Sequence, residues 1–205
     1  MKTIFTILIS IALAVNISIA QVTPNLFNTE EEQVLYLYEL INEYRESKGL
    51  NTLILDTAIV NACEFHSVYM SFYDIGGHME TRRDSVHVQV NIVNPWDRAE
   101  EFGVILGSHT AENSLNLYSD NRRAGSKEWM ESVKANNPNY KHAAEYVLDS
   151  WKNSKGHNKT LLMEDGVSCG VYTRAYVNEQ GKTRISSTFF INSYYEADPW
   201  GKSKN

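Results

Sequence analysis

Three short stretches carry side chains that could do chemistry. They are Gly76-Gly77-His78-Met79, Ala111-Glu112-Asn113 and Trp151-Lys152-Asn153-Ser154-Lys155-Gly156-His157. Imidazoles and carboxylates are the usual acid–base groups and metal ligands. Each stretch puts one where the chain turns at the end of a regular element, and loops on a rigid scaffold are where binding groups tend to sit. Spacing alone does not connect the three. A single histidine is more often a surface or satisfied core residue, and the chain has 6 of them. His66 reads as a local packing or capping group, His87 as a solvent-facing residue in an alternating run, and His142 with Glu145 as a surface pair. His109 points either into or away from whatever Glu112 lines. Ser67 and Ser154 lack a nearby His–Asp pattern, and no His-Glu-x-x-His zinc helix is present.

The elements that must position these residues are readable from period and punctuation. Thr29-Glu30-Glu31-Glu32 is a capping box. Val34, Leu37, Ile41 and Tyr44 follow at helical spacing, and Gly49 stops that helix. Leu53 and Leu55 precede Asp56, an N-cap for a second helix with Ala58, Ala62, Phe65 and Tyr69 inside, ending near Gly76-Gly77. His87 to Ile92 alternates like a short strand. Pro95 starts a short helix that Gly103 ends. Val104 to Leu117 reads as partly extended, and Gly125 to Asn137 holds a helical patch around Trp129 and Val133. Tyr140 to Asn153 is a third long helix with Ala143, Ala144, Val147, Leu148 and Trp151 inside, ended by Gly156. The last third changes to strand patterns around Val171 and Phe189, joined at the turn signal Asn178-Glu179-Gln180-Gly181. Helices first and paired strands last predict an α+β layered domain.

The N-terminus has the order of an export signal. Lys2 is followed by the apolar run Ile4 to Val15, then Ser18-Ile19-Ala20 offers small residues before Gln21. Cleavage is expected after Ala20, leaving residues 21–205 as one domain that is secreted or periplasmic. No later stretch reads as a membrane span, and the polar C-terminus reads as no anchor. The net charge of −6 repels phosphate backbones, so nucleic acid is excluded as a partner. Cys63 and Cys169 are the two cysteines. An oxidising compartment would let them close a bridge, and two buried thiols in apolar patterns are the alternative.

The order of the motifs, more than any one of them, resembles a known family. Leu40-Ile41-Asn42-Glu43-Tyr44-Arg45 with Leu53 and Leu55 is similar to its opening, and Ala62, His66-Ser67 and Met70 to its second helix. Gly77-His78, Asp97-Arg98-Ala99, Gly103 and Ala111-Glu112-Asn113 follow in order. Trp151, Ser154, Gly156 and His157 come next, then Leu161-Leu162, Gly166-Val167 and Gly170-Val171. The family is the CAP superfamily of cysteine-rich secretory proteins, antigen 5 and plant pathogenesis-related proteins of group 1, in its compact bacterial SCP-like branch. The resemblance runs from about Val34 to Tyr194. It implies an α-β-α sandwich with a small antiparallel sheet between helices. It also implies that His78, Glu112 and His157 line one cleft, where some relatives bind zinc or another divalent ion. Relatives with two glutamates carry the second where this chain has Ser154.

Two imidazoles and one carboxylate can hold zinc with an open position. They leave no spare carboxylate as general base beside it. Without metal, Glu112 would hydrogen-bond an imidazole and raise its pKa. The leading expectation is an exported, non-enzymatic binding module for a small molecule, lipid, glycan or protein, with no certain cofactor. The alternatives are a divalent-metal-dependent hydrolase, with His78 and His157 as ligands, and a purely structural envelope protein.

Overall fold

The computed structural model describes residues 30–81, 93–118, 127–136 and 138–195. The export signal, Thr29 of the capping box, the alternating run with His87 and the C-terminal tail lie outside them.

Helix α1 (Glu30–Glu46) turns Val34, Leu37 and Ile41 into the core. Gly49 follows it with φ 76, the left-handed region that glycine adopts without a Cβ penalty. Asn42 on α1 receives the Leu53 N–H at 2.8 Å and donates to the Leu53 carbonyl at 3.2 Å. That bracket fixes the start of strand β1 (Ile54–Leu55). Helix α2 (Thr57–Tyr73) is capped by Asp56, whose carboxylate accepts from the Ala58 N–H. It ends at Tyr73 rather than at the glycines, because Asp74 takes the left-handed capping position at φ 51. Helix α3 (Pro95–Glu101) has Pro95 at its start and Asn94 as its cap.

Strand β2 (Thr110–Tyr118) is the extended part of the mixed segment. Helices α4 (Lys127–Lys134) and α5 (Tyr140–Lys152) match the two helical patches expected there. Gly156 does not end the helical region. The chain passes through an extended Ser154 and restarts as α6 (Lys155–Leu161), with Gly156 in its first turn. Strands β3 (Ser168–Val177) and β4 (Thr183–Asn192) form the predicted hairpin. Asn178 locks its turn, its side-chain oxygen accepting the N–H groups of Gln180 and Lys182.

The sheet order is β1-β3-β4-β2. β3, β4 and β2 are antiparallel, while the two-residue β1 adds to β3 in parallel, a detail the hydrophobic pattern did not reveal. Helix α2 covers one face of the sheet, with α3 beside it; α1 covers the other, with α5 and α6 built on it. This is a small α-β-α sandwich with every residue of β4 buried. Gly170 sets the spacing on the α2 face. A Cβ there would lie 2.4 Å from backbone atoms of Ile59 and Val60, so the strand and helix backbones approach closely.

The same geometry explains why the cysteines stay unbridged. Both are buried free thiols. Successive strand residues point to opposite faces. Gly170 faces α2, so Cys169 faces α1, and burial raises its pKa while the nearby charge of Arg45 on α1 opposes that shift. Cys63 sits on α2 and donates its S–H to the Gly170 carbonyl at 3.3 Å. The sheet separates the two sulfurs, and the bridge that the export signal allowed is not made.

Candidate functional site

Strand β2 is an edge of the sheet, and it carries the centre of the site. Its side chains alternate. Glu112, Ser114 and Asn116 reach toward the α2–α3 side, where Ser114 Oγ donates to the Gly77 carbonyl at 2.8 Å and Asn116 Nδ2 to the Ile75 carbonyl at 2.6 Å. These bonds hold the turn after α2 against the strand. That turn presents His78, whose Nδ1 lies 2.9 Å from Glu112 Oε1. Nδ1 therefore carries the proton and donates it to the carboxylate. The His78 side chain is 47% exposed and that of Glu112 3%, so the pair links solvent to a buried charge.

The other Glu112 oxygen, Oε2, is bonded to Nη2 of Arg98, a side chain buried on α3. Arg98 Nη1 donates to Glu80 Oε1 at 2.7 Å, and Glu80 is buried as well. His66 closes the chain. Its Nε2 donates to the Gly77 carbonyl at 2.8 Å, while its Nδ1 lies 3.0 Å from Glu80 Oε1 and 3.1 Å from Arg98 Nη1. A continuous polar run thus joins His78, Glu112, Arg98, Glu80 and His66, drawn from α2, the following turn, α3 and β2.

The electrostatics follow from that arrangement. Burial alone would raise the Glu112 pKa, but the Arg98 charge, then the His78 hydrogen bond, outweigh it and hold the carboxyl below its ordinary value. Glu112 in turn raises His78, first through their hydrogen bond and also through its charge, against the effect of partial burial. His157 moves the other way. Burial lowers its pKa, and the charge of His78 lowers it further.

His157 reaches the same edge from the opposite face. It lies in α6, and its carbonyl accepts from Asn113 Nδ2 at 2.9 Å. Arg45 of α1 steadies the far end of α6, donating from Nη1 to the carbonyls of Leu161 and Met163 at 2.7 and 3.0 Å. The charge of His78 is felt at His157, so the two imidazoles lie within electrostatic range of each other. The His157 ring has no hydrogen bond to Glu112 among the described residues. Ser154 is the N-cap residue of α6 but makes no side-chain capping bond.

Other sequence candidates fall elsewhere. His109 contacts Asp165 at an exposed position away from Glu112. Glu145 accepts the Tyr36 hydroxyl at 2.9 Å, and the His142 ring lies by Trp129, so their expected surface pairing gives way to contacts with α1 and α4. Ser67 Oγ donates to the Tyr172 carbonyl and pairs with Thr188 Oγ1 inside the sandwich. A cavity of about 470 Å³ lies at the other end of β2's sheet, between Phe72, Tyr73, Asp74, Tyr176 and Asn178. Its central carboxylate, Asp74, already receives Tyr176, Asn178 and Arg184 and is not free for acid–base work.

Sequence reasoning missed Glu80 and the role of Arg98. One signal was available: Arg98 adjoins Ala99 in a short helix capped at both ends, and a basic residue on an inward face needs a carboxylate partner.

A divalent ion does not fit the trio His78, Glu112 and His157 as it stands. Both Glu112 oxygens are engaged, one by a guanidinium. Among the described residues no group of three His, Cys, Asp or Glu side chains converges as metal ligands would.

The fold and its edge cluster define a three-layer α-β-α domain with paired His and Glu at an edge strand. Residues 38–191 match the model of the cysteine-rich secretory protein family, CAP, and the chain belongs to that family. Solved structures agree on the fold. An extracellular protein containing a SCP domain from Bacillus anthracis is similar at 18% identity and a TM-score of 0.52, over 80% of this chain and 41% of that one. An outer surface protein from Borrelia burgdorferi is similar at 16% identity and 0.53, over 80% of this chain and 95% of its own. The chain thus spans less than half of the Bacillus protein. No curated protein sequence matches it significantly. Among the described residues, no helix is long and apolar enough to cross a membrane.

Proposed function

We propose that the chain is an exported, non-enzymatic binding module of the CAP family, released by cleavage after Ala20. Its recognition surface is the β2 edge, where His78 and His157 flank the opening over Glu112. The partner is an extracellular small molecule, lipid, glycan or protein. One observation carries this reading. Glu112, the only carboxylate in the trio, is bonded on one oxygen to Arg98 and on the other to His78. A carboxylate so held and kept ionised is a poor general base for an attacking water. It serves instead to orient His78, whose second ring nitrogen is left for a ligand.

The competing reading is a metal-dependent hydrolase with His78 and His157 as ligands and Glu112 as ligand or base. Screening the mature protein on peptide and ester libraries separates the two. The binding reading expects no turnover above background. Hydrolysis that disappears in a folded Glu112→Gln variant would establish the enzyme instead. N-terminal sequencing of exported protein tests the other half of the proposal, with Gln21 as the expected first residue.

A further inference from the structure

The cluster contains two buried carboxylates, Glu80 and Glu112, one buried imidazole, His66, and one half-exposed imidazole, His78. These are the donor types that divalent metals take. At their centre lies the guanidinium of Arg98, 1% exposed. Nη1 is 2.7 Å from Glu80 Oε1 and 3.1 Å from His66 Nδ1, and Nη2 is on Glu112 Oε2. Three potential metal-ligand atoms therefore contact one side chain that already carries a positive charge.

We propose that Arg98 is a built-in cation that occupies this cluster in place of a divalent metal ion and excludes one from it. Geometrically, the guanidinium takes up one oxygen of each carboxylate, Glu80 Oε1 and Glu112 Oε2, through charge-assisted hydrogen bonds, which are the strong ones. Electrostatically, a fixed unit charge in a water-poor site repels a second cation far more than it would in water. With both carboxylates engaged, only His78 and His157 remain at the cleft, two protein ligands where catalytic zinc sites use three. Arginine suits this role because its planar fork meets two carboxylates at once and stays charged.

A consequence distinguishes this role from simple packing. Removing the charge while keeping the length of the side chain leaves Glu80, Glu112 and His66 facing a common space. Such a variant gains a metal site. The inference rests on the same cluster as the binding reading, yet it fails separately: hydrolysis without bound metal overturns only the function, and metal binding without hydrolysis overturns only this.

The experiment is calorimetric titration of zinc chloride into the mature protein and its variants, with thermal melts in parallel. Wild type is expected to show no saturable heat and no rise in melting temperature, and Arg98→Lys, which keeps the charge, the same. Arg98→Met is expected to show the saturable zinc heat that wild type lacks, and to lose it on adding Glu80→Gln or Glu112→Gln. A folded Arg98→Met protein that stays silent overturns the proposal. If Arg98→Met does not fold, the wild-type titration decides. Saturable one-to-one binding that is lost in Glu112→Gln overturns exclusion, and silence of the folded protein upholds it.

Discussion

Arg98 and Glu112 form a buried ion pair between α3 and β2, with side chains only 1% and 3% exposed. The pair is shared at each end: Arg98 also holds Glu80, and Glu112 also holds His78. It joins the helix layer to the edge strand, and it fixes the charge beneath the cleft.

Removing the arginine leaves two carboxylates buried without their counter-ion. Breaking a buried pair from one side typically costs about 3–5 kcal/mol, because the remaining charge keeps its desolvation penalty. Arg98→Met should lose stability by that amount in urea denaturation. The double variant Arg98→Met/Glu112→Gln should be less destabilised than the two single effects added together, since it removes an uncompensated charge. Strict additivity would mean the two side chains are not coupled.

Stability should respond to pH on both sides of neutrality. The Glu112 pKa is depressed in the folded protein, so its contribution is present above the ordinary carboxylate range of about 4.3 and is lost as pH falls through the depressed value. The His78 pKa is raised, so its contribution is complete below about 6.5 and is lost as pH rises through the raised value. Glu112→Gln removes the cause of both and should flatten melting temperature against pH at both ends.

His157 should behave in the opposite sense to His78. Its pKa is lowered, so folding disfavours its charged form and it subtracts stability as pH falls below about 6.5. Two-dimensional NMR titration should find His157 protonating at lower pH than His78. In His78→Ala the His157 value should move up toward normal; no movement would mean that the two rings do not sense each other.

The close approach at Gly170 should be intolerant of any side chain. A Cβ would meet backbone atoms of Ile59 and Val60 at 2.4 Å, and neither can swing away as a flexible side chain would. Overpacking of this kind typically costs about 1–3 kcal/mol. Gly170→Ala should sit at or above the top of that range in chemical denaturation. It should also shift the His66 and His78 resonances, because α2 carries one and leads into the other.

The thiols should stay reduced after export. Burial raises the pKa of both cysteines, and the sheet lies between them. Mass spectrometry of alkylated exported protein should show no labelling while folded and two labels per chain after denaturation without reductant. One internal disulfide would contradict the opposite-face arrangement.

The sequence by itself determined the elements and their order. Period, caps and turn residues are local properties, so α1 from Val34-Leu37-Ile41, the Asp56 cap and the Asn178–Gly181 turn were all legible. The family was legible too, because it rests on motif order. Tertiary structure decided what those signals do not encode. Ser154 restarting a helix before Gly156 depends on α6 docking by Arg45. The separation of Cys63 from Cys169 depends on which face of β3 each meets. Above all, His78 and Glu112 stand 34 positions apart in the chain, and their bond exists because β2 lies beside the turn after α2. The sequence marked Arg98 only as part of the Asp97-Arg98-Ala99 stretch, and nothing in it singled out Glu80. Only the fold, by burying both, required that each find the other and so settled where the charge of the cleft resides.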